Sequence, residues 1–247
     1  MLDVNGNYRV HSEPRISANQ LAEYALASPS RRQVILKNAK FAPTFLVVRY
    51  GEARSSVCDY LTDNSRPVAT LHKAEARLKA SAALADSKFK ENDALLSAEA
   101  VASFASFVTN PKQYPSAFGK LMFEPLVGNM PKLPLSKVSV SVQIDLVSKN
   151  MAKGTCGGVL LQTSKAISAK SWRDEHSLYV ASLIWMASTE FLTGHGSIDR
   201  NLCYAVDIFG KKATKAPTSY KTRVKNLEAA CAEIAAMWDS IEPPADL

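Results

Sequence analysis

The sequence has few of the features that mark secreted, membrane-spanning or metal-thiolate proteins. Its four cysteines are scattered along 247 residues without a CxxC pair, so a zinc or iron–sulfur site is not indicated. No apolar run approaches the roughly 20 residues that a membrane-spanning helix needs. The first fifteen residues are polar and contain no apolar signal core. We therefore expect a soluble cytoplasmic protein with reduced cysteines and no contact with a membrane.

The sequence also lacks the glycine-rich motifs of nucleotide-binding proteins. It has 10 glycines, and none of them forms a GxGxxG, GxxxxGKS or GxxxxGKT motif, so a phosphate-cradling loop is not indicated. The segment Thr193–Ser197 combines a histidine with a serine. No nucleophile elbow surrounds that serine, and we interpret the segment as a loop.

Positive charge is the most distinctive property that is present. The formal net charge is +7, and the segment KKATKAPTSYKTRVK at 211–225 holds six cations in fifteen residues with no acid. Such a stretch indicates contact with nucleic-acid phosphates, while a solvated lysine-rich loop before a helix is the alternative. The candidate nucleic-acid-binding residues are Lys211, Lys212, Lys215, Lys221, Arg223, Arg31 and Arg32.

Helical patterns dominate the first 110 residues. Ser17 offers an N-cap for a helix over 18–27, and Pro29 suits the first turn of a second helix over 30–40. The region 44–61 mixes helical and extended spacing, and we favour a helix because 52–60 is well patterned. Two further helices are predicted over 68–86 and 94–108, separated by a polar stretch at 88–93.

Strand patterns appear after residue 110. A short strand is predicted near 118–124, and longer ones over 135–148, 157–164 and 201–209, with helices over 174–192 and 219–241. Alternation in the run 135–148 assigns Asp145 to its polar face, where a ligand group or a solvated acid would project. We predict an α+β fold with a helical region at 1–110 and a small mixed β-sheet flanked by helices at 111–247. One continuous domain is the alternative.

The order strand–strand–strand–helix–strand–helix in the second half resembles the core of the PD-(D/E)XK nuclease superfamily, especially its RecB-type and CRISPR-associated exonuclease branch. Two segments are similar to motifs of that branch: ISANQLAEYALASPSRR at 16–32 to its first helix, and EHSLY at 175–179 to its Gln-x-x-x-Tyr helix. The segment TLHKAEARL at 70–78 is similar to its upstream histidine helix.

The resemblance implies a metal-dependent phosphodiesterase site. It makes Asp145 a metal ligand and catalytic residue, Lys165 a charge stabiliser, Thr163 and Gln162 weak auxiliaries, and His72 a second candidate metal ligand. Mg²⁺ or Mn²⁺ would be the cofactor, since hard divalent ions take oxygen ligands.

The sequence departs from the family pattern at the second acid. The acid-x-Lys position reads Thr163-Ser164-Lys165, preceded by Gln162, so no carboxylate accompanies the lysine. We therefore expect a nucleic-acid-handling protein with an altered or inactive nuclease site. The alternatives are a non-enzymatic subunit of a bacterial defence or mobile-element system that binds nucleic acid or a protein partner, and a structural or homo-oligomeric protein whose charge is incidental.

Overall fold

The computed structural model describes residues 3–5, 8–44, 49–128, 130–165 and 170–244, which form an α+β fold. The helices are α1 (Ala18–Leu26), α2 (Pro29–Lys40), α3 (Gly51–Thr62), α4 (Val68–Ala83), α5 (Lys88–Val108), α6 (Lys170–Phe191) and α7 (Tyr220–Met237). The strands are β1 (Asp3–Asn5), β2 (Tyr8–Val10), β3 (Arg15–Ser17), β4 (Phe41–Pro43), β5 (Met122–Pro125), β6 (Leu133–Leu135), β7 (Val138–Ser141), β8 (Leu146–Asn150), β9 (Thr155–Gln162), β10 (Ser197–Ile198), β11 (Tyr204–Asp207) and β12 (Lys212–Lys215). The predicted fold class is confirmed.

The central sheet has the strand order β12-β11-β9-β8-β5, with β10 beside β9. Strands β5, β8 and β9 form an antiparallel meander, and α6 then carries the chain to β11, which runs parallel to β9. Gln162 at the end of β9 lies opposite Asp207 at the end of β11. The two strands therefore end at the same edge of the sheet, where side chains from both can meet.

Two smaller sheets accompany the central one. One has the order β3-β7-β6 and the other β1-β2-β4. Because β3 pairs in parallel with β7, Ile16 lies opposite Val140. Residues near the start of the chain are thereby built into a sheet with residues beyond 130.

The predicted strand over 135–148 is wrong as a single element. Its β7 part ends at Ser141, residues 142–145 leave the sheet, and β8 begins at Leu146 in the central sheet. Val142 and Ile144 stay buried with α1 and α6, whereas Leu146 is buried with α3 and α5. Alternation correctly predicted the burial of Val138, Val140, Val142, Ile144 and Leu146, but it holds no information about which sheet each half joins.

Buried side chains form two clusters. One joins α1, α2, α6 and α7, and the other joins α3, α4 and α5 to β5, β8, β9 and β11. A chain of aromatic rings runs through the second cluster with neighbouring centroids 4.8–5.9 Å apart. These rings belong to Tyr60, Phe104, Phe107, Tyr114, Phe118, Phe123 and Tyr204. Edge-to-face packing of this kind stabilises aromatic pairs beyond the area they bury.

The helices near the start of the chain agree with the sequence in position. Helix α1 is capped by Ser17, whose Oγ accepts from the backbone N–H of Gln20. Helix α5 begins earlier than predicted, at Lys88, because Ser87 caps it and its polar first turns are exposed. Helix α3 occupies 51–62, and residues 45–48 of the predicted segment lie outside the described residues.

Residues of α1 and α2 share one buried cluster with residues of α6 and α7. The division into regions 1–110 and 111–247 stays a prediction. No helix in the described part of the chain is long and apolar enough to cross a membrane.

Candidate functional site

A partly open cavity of about 730 Å³ lies at the edge where β9 and β11 end. Helices α1, α2, α3 and α6 surround it, and most of its lining residues have polar side chains. The lining residues are Asn19, Gln20, Glu23, Ala27, Arg31, Tyr50, Arg54, Leu161, Gln162, Thr163, Ser164, Trp172, Arg173, His176, Ser177 and Asp207. A cavity of this size is typical of small-ligand sites.

Asp145 lies beneath this cavity, and both of its carboxylate oxygens accept hydrogen bonds from the protein. Arg54 donates from Nη2 to both carboxylate oxygens at 2.8 Å and from Nε to Oδ1 at 3.1 Å. The backbone N–H of Leu161 donates to Oδ2 at 2.7 Å. Only 7% of the Asp145 side chain is exposed. Asp145 is therefore not a solvated acid on the polar face of its segment.

Burial and hydrogen bonding act in opposite directions on Asp145. Burial raises the pKa of its carboxyl above the usual value, and this outweighs Arg54 and the Leu161 N–H, which lower it. Both oxygens nevertheless accept hydrogen bonds only, which is the pattern of an ionised carboxylate. The ion pair with Arg54 is thus what compensates the charge in this buried place.

A second ion pair, between Arg173 and Asp207, lies across the cavity. Arg173 donates from Nε to Oδ2 of Asp207 at 2.8 Å and from Nη2 to Oδ1. The N–H of Gly210 adds a bond to Oδ1 at 2.8 Å. Both carboxylate oxygens of Asp207 therefore also accept hydrogen bonds from an arginine.

Gln162 and His176 form the centre of a hydrogen-bond network between these ion pairs. Nε2 of Gln162 bonds to Oδ1 of Asn19 at 3.0 Å and to Nδ1 of His176 at 3.2 Å, and Ser177 donates to its Oε1 at 3.0 Å. Nε2 of His176 lies 3.1 Å from the carbonyl oxygen of Asn19. Since a carbonyl only accepts, Nε2 carries the proton and Nδ1 accepts from Gln162.

Burial favours the neutral form of this histidine. It lowers the pKa of His176 below the usual value, and Arg173 lowers it further. The Asn19 carbonyl, Glu23 and Asp207 act in the opposite direction. Trp172 stacks on the same imidazole with a centroid distance of 4.9 Å and an interplanar angle of 22°.

The residues singled out for metal chemistry do not all meet. Gln162 and Thr163 line the cavity, but Lys165 points to α5, where its Nζ lies 2.7 Å from Glu99. His72 is 63% exposed on α4, close to Glu75, and it does not line the cavity. The structure thus separates Lys165 and His72 from Asp145.

The cationic candidates fall into two groups. Arg31 lines the cavity and pairs with Glu23, whereas Arg32 bonds to the Tyr24 carbonyl and to Glu233 of α7. The segment 211–225 packs beside the first turns of α6 through the pairs Lys212–Asp174 and Arg223–Glu175. Lys211 donates to Ser106. Arg32 and Arg223 therefore join elements of the fold.

Three lysines of that segment face solvent without an acid beside them. Lys215, Lys221 and Lys225 are exposed, and within the described ranges no carboxylate pairs with any of them. The side chain of Lys170 lies outside the described residues. Strands β8 and β9 form a hairpin, in which Lys149 pairs with Glu124 of β5.

The segment EHSLY at 175–179 makes contacts with another helix of the fold. Glu175 binds Arg223 with both carboxylate oxygens at 3.0 Å, and the Tyr179 hydroxyl accepts from Asn226 at 2.8 Å. These contacts face α7. Three cavity-lining residues of α6, Trp172, Arg173 and His176, were not predicted from the sequence. Trp172 and His176 have the i, i+4 spacing that predicts stacking.

The donor set at the cavity does not fit Mg²⁺ or Mn²⁺ in this arrangement. Asp145 and Asp207 are each held by an arginine and a backbone N–H, and Nδ1 of His176 accepts from Gln162. Among the residues that the structure describes, no three histidine, cysteine, aspartate or glutamate side chains are grouped so as to hold a metal ion.

Comparisons with known proteins give no relative for this chain. No protein-family model matches it, and neither the curated proteins nor the solved structures compared with it include a match.

Proposed function

We propose that this chain binds nucleic acid without hydrolysing it, on a frame that resembles a PD-(D/E)XK nuclease. The observation that carries the proposal is the ion pair between Asp145 and Arg54, at the position where the resemblance implies a metal ligand. A carboxylate whose oxygens already accept from a guanidinium and a backbone N–H has little capacity left for a hard cation. The site is then the altered, inactive form of that frame.

The strand order of the central sheet supports the resemblance to a PD-(D/E)XK core. The meander of β5, β8 and β9, the crossover through α6 and the parallel strand β11 follow the strand order on which the resemblance rests. Lys165, at the lysine position of the acid-x-Lys motif, departs from this frame, because it pairs with Glu99 instead of pointing to Asp145.

The net charge and the exposed lysines support nucleic acid as the ligand. The chain carries +7, and Lys215, Lys221 and Lys225 form an exposed group on β12 and α7, which we name the lysine face. The elements that carry the lysine face, β12 and α7, are joined to α6 by the pairs Lys212–Asp174 and Arg223–Glu175, and α6 also lines the cavity. A strand of nucleic acid is long enough to contact both. We also propose that it acts in the cytoplasm.

Fluorescence anisotropy with a labelled oligonucleotide in EDTA tests binding. We expect affinity without metal, and we expect log K to fall linearly with log salt concentration as counterions are released. The variant Lys215→Glu/Lys221→Glu should reduce the slope by about 2, since each phosphate contact contributes about 1. Lys73→Glu/Lys112→Glu changes the net charge equally at exposed positions outside the lysine face and is the matched control.

Hydrolysis is tested by incubating the same oligonucleotide with Mn²⁺. We expect no degradation beyond that of a mock preparation. Mn²⁺-dependent cleavage that Asp145→Ala abolishes would overturn the inactive assignment. Absence of salt-dependent binding would overturn the nucleic-acid assignment.

A protein-binding subunit is the second candidate, and one observation favours it. Leu84, Phe89 and Leu95 are 86%, 47% and 45% exposed where α4 meets α5. Phe89 and Leu95 line one surface pocket, and adjoining exposed apolar residues mark interaction surfaces. Analytical ultracentrifugation of the parent and of Phe89→Ser tests self-association there, and a monomer at all concentrations in both would exclude the homo-oligomer.

A further inference from the structure

We propose that the cavity between α1, α3 and α6 binds a base and the adjoining backbone of single-stranded nucleic acid, with the base stacked on Trp172. This inference rests on the proposed function and adds to it a ligand class and a binding residue. The juxtaposition that carries it is a fixed aromatic plane beside two guanidinium groups in one open cavity.

The size of the cavity selects single strands. A volume of about 730 Å³ accommodates a ligand of one or two nucleotides. A base inside a double helix is stacked and paired, so it does not reach such a cavity unless it leaves the stack. A base must therefore be unpaired to reach the cavity.

The indole of Trp172 is held ready for stacking. Trp172 is half-buried, lines the cavity and lies against the His176 ring. His176 is itself fixed at both ring nitrogens by Gln162 and Asn19. A ligand therefore meets an aromatic plane whose orientation is already set, which reduces the entropy lost on binding.

Arg54 supplies donors for the backbone of the same strand. It uses Nε and Nη2 for Asp145, and among the described residues its Nη1 makes no hydrogen bond. A guanidinium has five N–H donors, so two of them remain for a phosphate. The Arg54 side chain is 24% exposed and lines the cavity.

Arg31 adds a second, outer cation. Its side chain is 53% exposed at the cavity wall, where it pairs with Glu23. Together with Arg54 it places guanidinium donors on the side formed by α2 and α3. The base plane and the phosphate donors thus come from different helices around one opening.

The test compares oligonucleotides that differ only in their bases. Labelled single-stranded DNA and RNA twelve-mers, an abasic DNA twelve-mer and a duplex are titrated in EDTA by anisotropy, with tryptophan fluorescence recorded in parallel. We expect single strands to bind roughly 5- to 150-fold more tightly than the abasic strand, which is the range that base–aromatic stacking gives. We also expect them to quench tryptophan fluorescence.

Variants of the tryptophans locate the effect. Trp172→Leu should lose the preference for bases and leave binding of the abasic strand unchanged. Trp172→Phe should keep most of the preference while the quenching disappears, so that the assignment remains testable even if the leucine variant folds poorly. Trp185→Phe, at a tryptophan that does not line the cavity, is the control and should keep both signals.

The outcomes separate this inference from the proposed function. Equal, salt-dependent binding of the abasic and base-containing strands would overturn the stacking site and leave nucleic-acid binding intact. Binding of no strand would overturn both. A mononucleotide that binds as tightly as the twelve-mer would overturn the single strand as the ligand, and the DNA and RNA arms identify the sugar.

Discussion

Arg54 of α3 and Asp145 of the segment before β8 are joined by a bidentate ion pair, although they lie 91 residues apart in the sequence. The pair connects the layer of α3, α4 and α5 to the central sheet at the floor of the cavity. It also determines what Asp145 can do, because both of its oxygens already accept hydrogen bonds.

Removal of one member of this pair should destabilise the fold. Arg54→Met leaves the Asp145 carboxylate buried without its cation, and we expect the free energy of unfolding to fall by about 3–5 kcal/mol, as for other broken buried pairs. Urea unfolding followed by circular dichroism measures the change.

The matched control restores balance at the same site. In Arg54→Met/Asp145→Asn the buried charge is gone, and the amide oxygen can still accept from the Leu161 N–H. We expect this double variant to be more stable than Arg54→Met alone. A double variant that is no more stable than Arg54→Met would contradict this account of Asp145.

Gly210 is predicted to be intolerant of a side chain. A Cβ at this position would lie 2.7 Å from Cγ of Asp207, which Arg173 and the Gly210 N–H hold in place. Gly210→Ala should therefore lower the free energy of unfolding by about 1–3 kcal/mol through overpacking. Gly194→Ala is the control, since a Cβ there meets no atom within 4 Å. Equal stabilities of the two variants would refute the crowding.

His176 should make stability depend on pH. Burial lowers its pKa in the folded state from 6.5, so the unfolded chain takes up a proton first as the pH falls. Stability from this group is present above 6.5 and is lost as the pH decreases toward the folded pKa, with a slope of at most about 1.4 kcal/mol per pH unit. His11, whose pKa burial also lowers, contributes with the same sign.

The variant His176→Gln isolates that contribution. Urea unfolding between pH 7.5 and 5 should show a smaller loss of stability in this variant than in the parent. His195→Gln, at an exposed histidine, should follow the parent. Parallel pH profiles for all three proteins would show that His176 does not titrate differently on folding.

Ser17 is predicted to stabilise α1, the helix that carries Asn19 into the site. Its Oγ accepts from the Gln20 N–H and its own N–H donates to the Gln20 side chain. Ser17→Ala should cost about 1 kcal/mol of stability. Ser28→Ala is the control, because Ser28 precedes α2 without a side-chain cap bond. Thermal unfolding of both variants measures the difference.

Local patterns in the sequence predicted the elements that local physics determines. The Ser17 cap, the start of α2 at Pro29 and the hairpin of β8 and β9 all follow from residues near each other in the chain. The break between β7 and β8 does not, because Val138–Leu146 alternates without interruption and only the tertiary packing distinguishes its halves.

The site was less predictable than the fold. Asp145 was found from its place in a strand-like run, but its partner Arg54 lies on a distant helix and no local pattern connects them. Sequence reasoning chose Glu175 and Tyr179 on α6, whereas the residues that line the cavity are Trp172, Arg173 and His176. The i, i+4 spacing of Trp172 and His176 was the signal that could have found them.

The chain of aromatic rings through α5 and β5 contains tyrosine and phenylalanine only. The three tryptophans of the sequence lie elsewhere, on α6 and directly after α7. Tryptophan emission therefore reports on the face of the central sheet that packs against α6 and α7, whereas far-ultraviolet dichroism reports on the helices of both faces. Coincident unfolding curves from the two signals would show that both faces unfold in a single cooperative transition.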